Sequence, residues 1–134
     1  MANGKVRSIR TPVVLAVEDH KYNQMVLQKM IESIGIPVLT ASNGKEAVEI
    51  LSANNDIELV LMDLKMPVMD GYEALNEIKK LKPHTVVIAE TAYALPGDKE
   101  KILKAGFDDY LPKPITLEIL KNTLLKYLPV YGKS

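Results

Sequence analysis

The residues of this chain best placed to do chemistry stand one after another at the ends of short apolar runs. Glu18 and Asp19 follow Val13-Val14-Leu15-Ala16-Val17. Asp63 follows Glu58-Leu59-Val60-Leu61-Met62, Thr91 comes just after Thr85-Val86-Val87-Ile88-Ala89, and Lys113 just after Asp109-Tyr110-Leu111. Carboxylates gathered in one place repel one another, and a hard divalent cation relieves them. Mg²⁺ suits such a set, because it takes one or two carboxylates, keeps some waters and accepts phosphate oxygens as further ligands. An ammonium and a hydroxyl beside it match the charge that develops on a transferring phosphoryl group. An Asp carboxylate in that setting can itself be the nucleophile and become an aspartyl-phosphate. Taken singly, each residue has a plainer role: an Asp or Thr at a strand end caps a turn, and a Lys beside a Pro is solvated. Taken in this order, they predict one site.

The elements that must bring them together are legible in the hydrophobic pattern. Each β-branched run alternates with a longer helical stretch, which argues for βα units around a parallel sheet. The first run is apolar on both faces, as a strand covered by helices on both sides must be. Val26, Leu27, Met30, Ile31 and Ile34 form a helical stripe closed by Gly35, and a weaker strand lies around Val38-Leu39-Thr40-Ala41. Asn43 with Glu46, and Asp70 with Glu73, each read as a capping box that opens a helix. The helix after Asp70 carries Tyr72, Leu75, Ile78 and Leu81 and stops before Pro83. Another runs from Pro96 to about Gly106, and Thr116 caps a last one with Leu117, Leu120, Leu124 and Leu128 on its apolar side. Five strands and five helices in strict alternation predict an α/β, doubly wound (βα)5 sandwich of three layers. In such a sheet ligands bind beyond the carboxyl ends of the strands, where the acids, Thr91 and Lys113 all stand.

Composition removes other classes. The 134 residues carry 17 Lys+Arg against 17 Asp+Glu, so no net positive charge draws the chain to nucleic acid. With no Cys there is no disulfide framework, thiol nucleophile or thiolate metal site. No apolar run approaches the roughly 20 residues of a membrane helix, and the basic N-terminus lacks a signal-type apolar core. The expectation is a cytoplasmic protein without a membrane segment.

Together these residues resemble the receiver domain of two-component response regulators, the chemotaxis-regulator fold. The likeness is carried by Val17-Glu18-Asp19 and by Leu61-Met62-Asp63-Leu64-Lys65-Met66-Pro67-Val68-Met69-Asp70-Gly71. It continues in Thr91-Ala92 and in Ala105-Gly106-Phe107-Asp108-Asp109-Tyr110-Leu111-Pro112-Lys113-Pro114. The domain is expected over residues 12–129, with tails at 1–11 and 130–134. The resemblance implies a flavodoxin-like sheet in the order 2-1-3-4-5. It implies that Asp63 takes a phosphoryl group from the phosphohistidine of a sensor histidine kinase or a histidine phosphotransfer domain. Asp19, Asp63 and the backbone carbonyl of Lys65 would hold Mg²⁺, with Glu18 assisting through water. Lys113 would bind the phosphoryl oxygens. Thr91 and Tyr110 would switch together and change the face made by the fourth helix, fifth strand and fifth helix, which is also a candidate homodimer interface. The domain would catalyse its own phosphorylation and dephosphorylation rather than act as an ordinary enzyme. The family also implies a cis bond at Lys113-Pro114.

The chain departs from the family pattern at its rim. Lys65 and Tyr93 occupy positions that tune how long the phosphate survives, and Glu90 stands where an apolar residue is common. Asn23-Gln24-Met25-Val26 resembles receivers fused to hybrid sensor kinases, so both a stand-alone receiver and a domain of such a kinase are open. Rival classes fit less well. An aspartyl-nucleophile phosphatase needs a second Asp where Lys65 stands, and a nucleotide-binding enzyme needs a Gly-rich loop where Glu18-Asp19-His20-Lys21 stands. A receiver-like interaction module with weak or no phosphorylation should lack an acid or the Lys, and none is missing. Lys65, Tyr93 and Glu90 keep that alternative open.

Overall fold

The β-branched runs become the strands β1 (Val13–Val17), β2 (Val38–Ala41), β3 (Ile57–Asp63), β4 (Val86–Thr91) and β5 (Asp109–Pro112). Between and after them lie the helices α1 (Lys21–Ile34), α2 (Gly44–Ala53), α3 (Gly71–Leu81), α4 (Pro96–Ala105) and α5 (Leu117–Tyr127). The computed structural model describes residues 11–65, 69–92 and 96–132. All paired strands run parallel in the order β2-β1-β3-β4-β5, the order expected.

Alternation along each strand divides the core into two layers. Leu15, Val17, Val60, Met62, Val87 and Ala89 face the layer of α2, α3 and α4, where Leu51, Leu75, Ile78 and Ile102 are buried. Val14, Ala16, Leu59, Leu61 and Ile88 face α1 and α5, against Leu27, Ile31, Leu120 and Leu124. Burying one such Leu or Ile contributes roughly 1.5–3 kcal/mol. The sandwich is therefore held from both faces, and the strand ends become its rigid upper edge.

The helix signals hold with three local differences. Gly35 caps α1 in the left-handed region at φ 93°. Asp70 and Glu73 close a complete capping box on α3. At α2 only half the expected box forms: Asn43 accepts from the Glu46 N–H at 2.8 Å, but Glu46 turns its carboxylate to the N–H of Ser42. Leu81 and Leu117, expected on apolar stripes, are 42% and 47% exposed; periodicity names a helix face but not how far the neighbouring layer extends. Across the expected boundary between domain and C-terminal tail, Pro129–Gly132 winds a 3₁₀ turn whose Tyr131 hydroxyl donates to the Pro12 carbonyl, tying this segment to the entrance of β1.

Candidate functional site

The sheet order reverses direction around β1, so the carboxyl ends of β1 and β3 open a crevice between the loops that follow them. Glu18 and Asp19 leave β1 there. The buried Glu18 carboxylate accepts the His20 N–H at 3.2 Å. The Gln24 side-chain amide donates to the carbonyls of Glu18 at 3.0 Å and Ala41 at 3.1 Å, clamping the ends of β1 and β2 together. No local pattern marks Gln24 for this role, because its two partners meet only when the strands pair.

Asp63 is the last residue of β3 and is 6% exposed. Its Oδ1 accepts the backbone N–H of Lys65 at 3.1 Å, and its Oδ2 lies 3.2 Å from the Lys113 ammonium. The same ammonium is 3.4 Å from Glu18 Oε1. Lys113 is held there from the neighbouring strand, since its own N–H donates to the Thr91 carbonyl at 2.8 Å. The Lys113-Pro114 bond is cis.

Carboxylate oxygens of Glu18, Asp19 and Asp63 all lie within 4.8 Å of one another. Three hard oxygen donors this close, two of them buried, suit a small divalent cation. The cavity around them, about 540 Å³, is lined by these acids together with Lys65, Thr91 and Lys113. Asp70, Tyr72 and Lys101 also line it, and the sequence reading gave none of them a place in the site. The Lys101 ammonium sits 5.8 Å from the centre of the Tyr72 ring. Thr91 is drawn inside β4 as its final residue, paired in register with Pro112, rather than following the strand. Tyr110 is half-buried outside the cavity wall, with the Lys99 ammonium 5.8 Å from its ring centre. Tyr93 lies outside the described residues, as do residues 66–68 of the motif loop.

The charges act on one another. Burial raises the Glu18 carboxyl above its ordinary value, and the negative charge of Asp63 adds to this, while the His20 N–H and Lys113 oppose it. Burial alone would lower the Lys113 ammonium; Asp63, Glu18 and Glu90 outweigh it and leave the ammonium above its usual value. Lys113 therefore stays charged at any physiological pH. Glu90 is fully buried, and burial pushes its carboxyl up to about 8.

Gly71 sets how closely α3 approaches the crevice. Its N–H donates to the Leu64 carbonyl, and a Cβ at this position would come within 2.8 Å of the Asp63 carbonyl oxygen and 2.9 Å of Leu64 Cα. Both contacts are backbone and cannot rotate away. Gly71→Ala is therefore expected to cost about 1–3 kcal/mol by overpacking, despite the better helix propensity of Ala, and to displace Asp63. Urea unfolding, with amide NMR shifts at Asp63 and Lys65, checks both parts. An unchanged midpoint would show that α3 can move away without loss.

The chain compares with known proteins as follows. The sequence model of the response regulator receiver domain matches residues 14–125. The sensor histidine kinase RcsC of Escherichia coli (strain K12) is 39% identical over 122 residues, covering 91% of this chain and 13% of RcsC. The chain thus spans only a small part of the curated relatives it matches. The receiver domain of the sensor histidine kinase PA1611 from Pseudomonas aeruginosa, solved with a magnesium ion in its active site cleft, superposes with a TM-score of 0.79 at 36% identity, covering 91% of this chain and 98% of that one. The co-crystal structure of the Saccharomyces cerevisiae phosphotransfer protein Ypd1 with the receiver domain of Ssk1 gives 0.81 at 32% identity, covering 88% and 89%. The match runs from the second residue of β1 almost to the end of α5, on the sheet order described above: the chain belongs to the response regulator receiver domains of two-component and phosphorelay signalling.

Proposed function

We propose that Asp63 is the phosphoacceptor of this receiver and that its donor is a phosphohistidine on a sensor histidine kinase or a histidine phosphotransfer domain. The observation that carries this reading is the Lys113 ammonium 3.2 Å from Asp63 Oδ2, inside a set of acids fit for a divalent cation. A carboxylate oxygen of Asp63 attacks the phosphorus, the P–N bond to the donor imidazole breaks, and its electron pair returns to the imidazole. Attack by water later restores the carboxylate and releases phosphate, so the domain makes and unmakes its own acyl phosphate. Lys113 offsets charge on the phosphoryl oxygens throughout. Asp19, Asp63 and the Lys65 carbonyl would hold Mg²⁺, with Glu18 acting through water. When bound, the cation supplies positive charge to the phosphoryl oxygens.

The response then passes to Thr91, whose hydroxyl gains a strong new acceptor, and to Tyr110, which moves with it. The readout surface is α4, β5 and α5, a surface that also suits homodimerisation. Lys65 and Tyr93 set the phosphate's lifetime. Intact mass after incubation with Mg²⁺ and acetyl phosphate tests the reading: one phosphoryl group should be gained, labile to base and to hydroxylamine, and no gain should occur when the metal is chelated before acetyl phosphate is added. No gain, or a gain indifferent to chelation, would overturn it.

A further inference from the structure

Glu90 is used by none of these steps. Among the described residues its Oε2 is the one buried side-chain oxygen or nitrogen without a hydrogen-bond partner. A buried polar atom left unpaired costs about 1–3 kcal/mol, so its surroundings ask what could pair it. Alternation along β4 turns Val87 and Ala89 towards the α2, α3 and α4 layer and Ile88 towards α1 and α5, and Glu90 shares the side of Ile88. There it lines a second cavity of about 510 Å³ between α1 and the turn after β5. The walls of this cavity are largely hydrocarbon, from Tyr22, Val26, Leu27, Met30, Pro114 and Ile115. Tyr22 is 64% exposed and Val26 37% exposed at its mouth. Glu18 and Lys113 also border it, but they face each other at 3.4 Å and satisfy one another.

The lining thus combines an apolar body with a buried acid, Glu90, whose Oε2 is unpaired. Apolar cavities with a single well-placed polar group are the usual form of small-molecule sites. We propose that this cavity binds a small apolar amine, its ammonium donating to Glu90 Oε2 and its hydrocarbon lying against Val26, Leu27, Met30 and Ile115. The lining offers an anion no free cation, since Lys113 is held between Glu18 and Asp63, and a pure hydrocarbon would leave Oε2 as it is. The site shares Glu18, Glu90 and Lys113 with the cavity around Asp63, but Val26, Leu27, Met30 and Ile115 line only this second cavity, and binding here does not depend on phosphoryl transfer.

Phenethylamine is the probe, titrated into the full chain in the presence of saturating Mg²⁺ and followed by methyl NMR at Met30 and Ile115. A saturable shift at both residues is expected. Hydrocinnamate, with a carboxylate in place of the amine, should give none. Hydrogen bonds to charged groups contribute about 1.5–3 kcal/mol, so Glu90→Leu should weaken binding about tenfold or more; Glu90→Gln, which preserves the shape and an accepting oxygen but carries no acid, should weaken it by less. Equal affinity in both variants, equal binding of hydrocinnamate, or no shift at all would overturn the site. So would a shift seen only without Mg²⁺, since that places the amine among Glu18, Asp19 and Asp63.

Discussion

Asp63→Asn is expected to abolish the phosphoryl mass gain completely and, in the same protein, to raise the stability of the metal-free form. The first effect follows because the amide oxygen is no longer an anionic nucleophile. The second follows from the balance of charges. At an effective dielectric of about 20, a like-charge contact within 4.8 Å costs roughly 3.5 kcal/mol or more and an ion pair at 3.2 Å returns about 5. Asp63 faces one buried like charge, Glu18, and a second, Asp19, which is exposed and so partly screened. The attraction of Lys113 roughly offsets that repulsion. The cost of burying the Asp63 carboxylate then decides the sign. In the variant Lys113 keeps Glu18 as a partner and the amide oxygen can still accept from it. A gain of about 1 kcal/mol, a few degrees in Tm for a domain of this size, is expected without metal. With Mg²⁺ the order should narrow or reverse, because the wild type gains more from the ion. Thermal melts of both proteins with and without Mg²⁺ check this. A variant less stable than wild type in chelator would mean that the Lys113 pair outweighs the repulsion.

Much of this site could be read before any coordinates, for a physical reason. In a parallel sheet buried on both faces, strands read as unbroken apolar runs, and a charged residue that ends such a run sits at the edge where ligands bind. Glu18, Asp63 and Lys113 were visible on that ground, and Asp70 with Glu73 because a capping box is a local pattern. What failed or stayed hidden depends on pairings distant in the chain. Glu46 turns to Ser42 rather than completing its box, since the carboxylate can reach either N–H within the same turn. Thr91 joins β4 because Pro112 of β5 lies beside it in the sheet. Gln24 clamps carbonyls that belong to two different strands. Glu90 could be seen to break the pattern, but that its Oε2 is unpaired and that the residue borders a second cavity follow only from the α1 and α5 layer packed over it.

Glu90 also controls how stability responds to pH. Its carboxyl, near 4.5 in an unfolded chain, is pushed up to about 8 in the folded one, above all by burial, against the opposing charge of Lys113 and with smaller pushes from Glu18 and Asp63. Between those values the folded protein holds a proton that the unfolded chain has released, so folding is coupled to proton uptake. The stabilisation due to the neutral acid is complete below about 4.5 and is lost as pH rises through about 8. The slope cannot exceed about 1.4 kcal/mol per pH unit for one proton, which over this window amounts to a few kcal/mol. Glu90→Leu removes the titrating group and fills its space with hydrocarbon, as suits a position on the same sheet face as Ile88. Its advantage over wild type should be small near pH 5 and grow steadily to pH 8. Urea midpoints of the two proteins at pH 5, 6.5 and 8, all in chelator to keep the acids metal-free, measure that difference while cancelling titrations the two share, including that of Glu18. Parallel profiles would mean that water reaches the Glu90 carboxyl in solution and that it is charged throughout. A converging pair would mean that Glu90 has a cationic partner when folded, with Lys113 the nearest source of that charge.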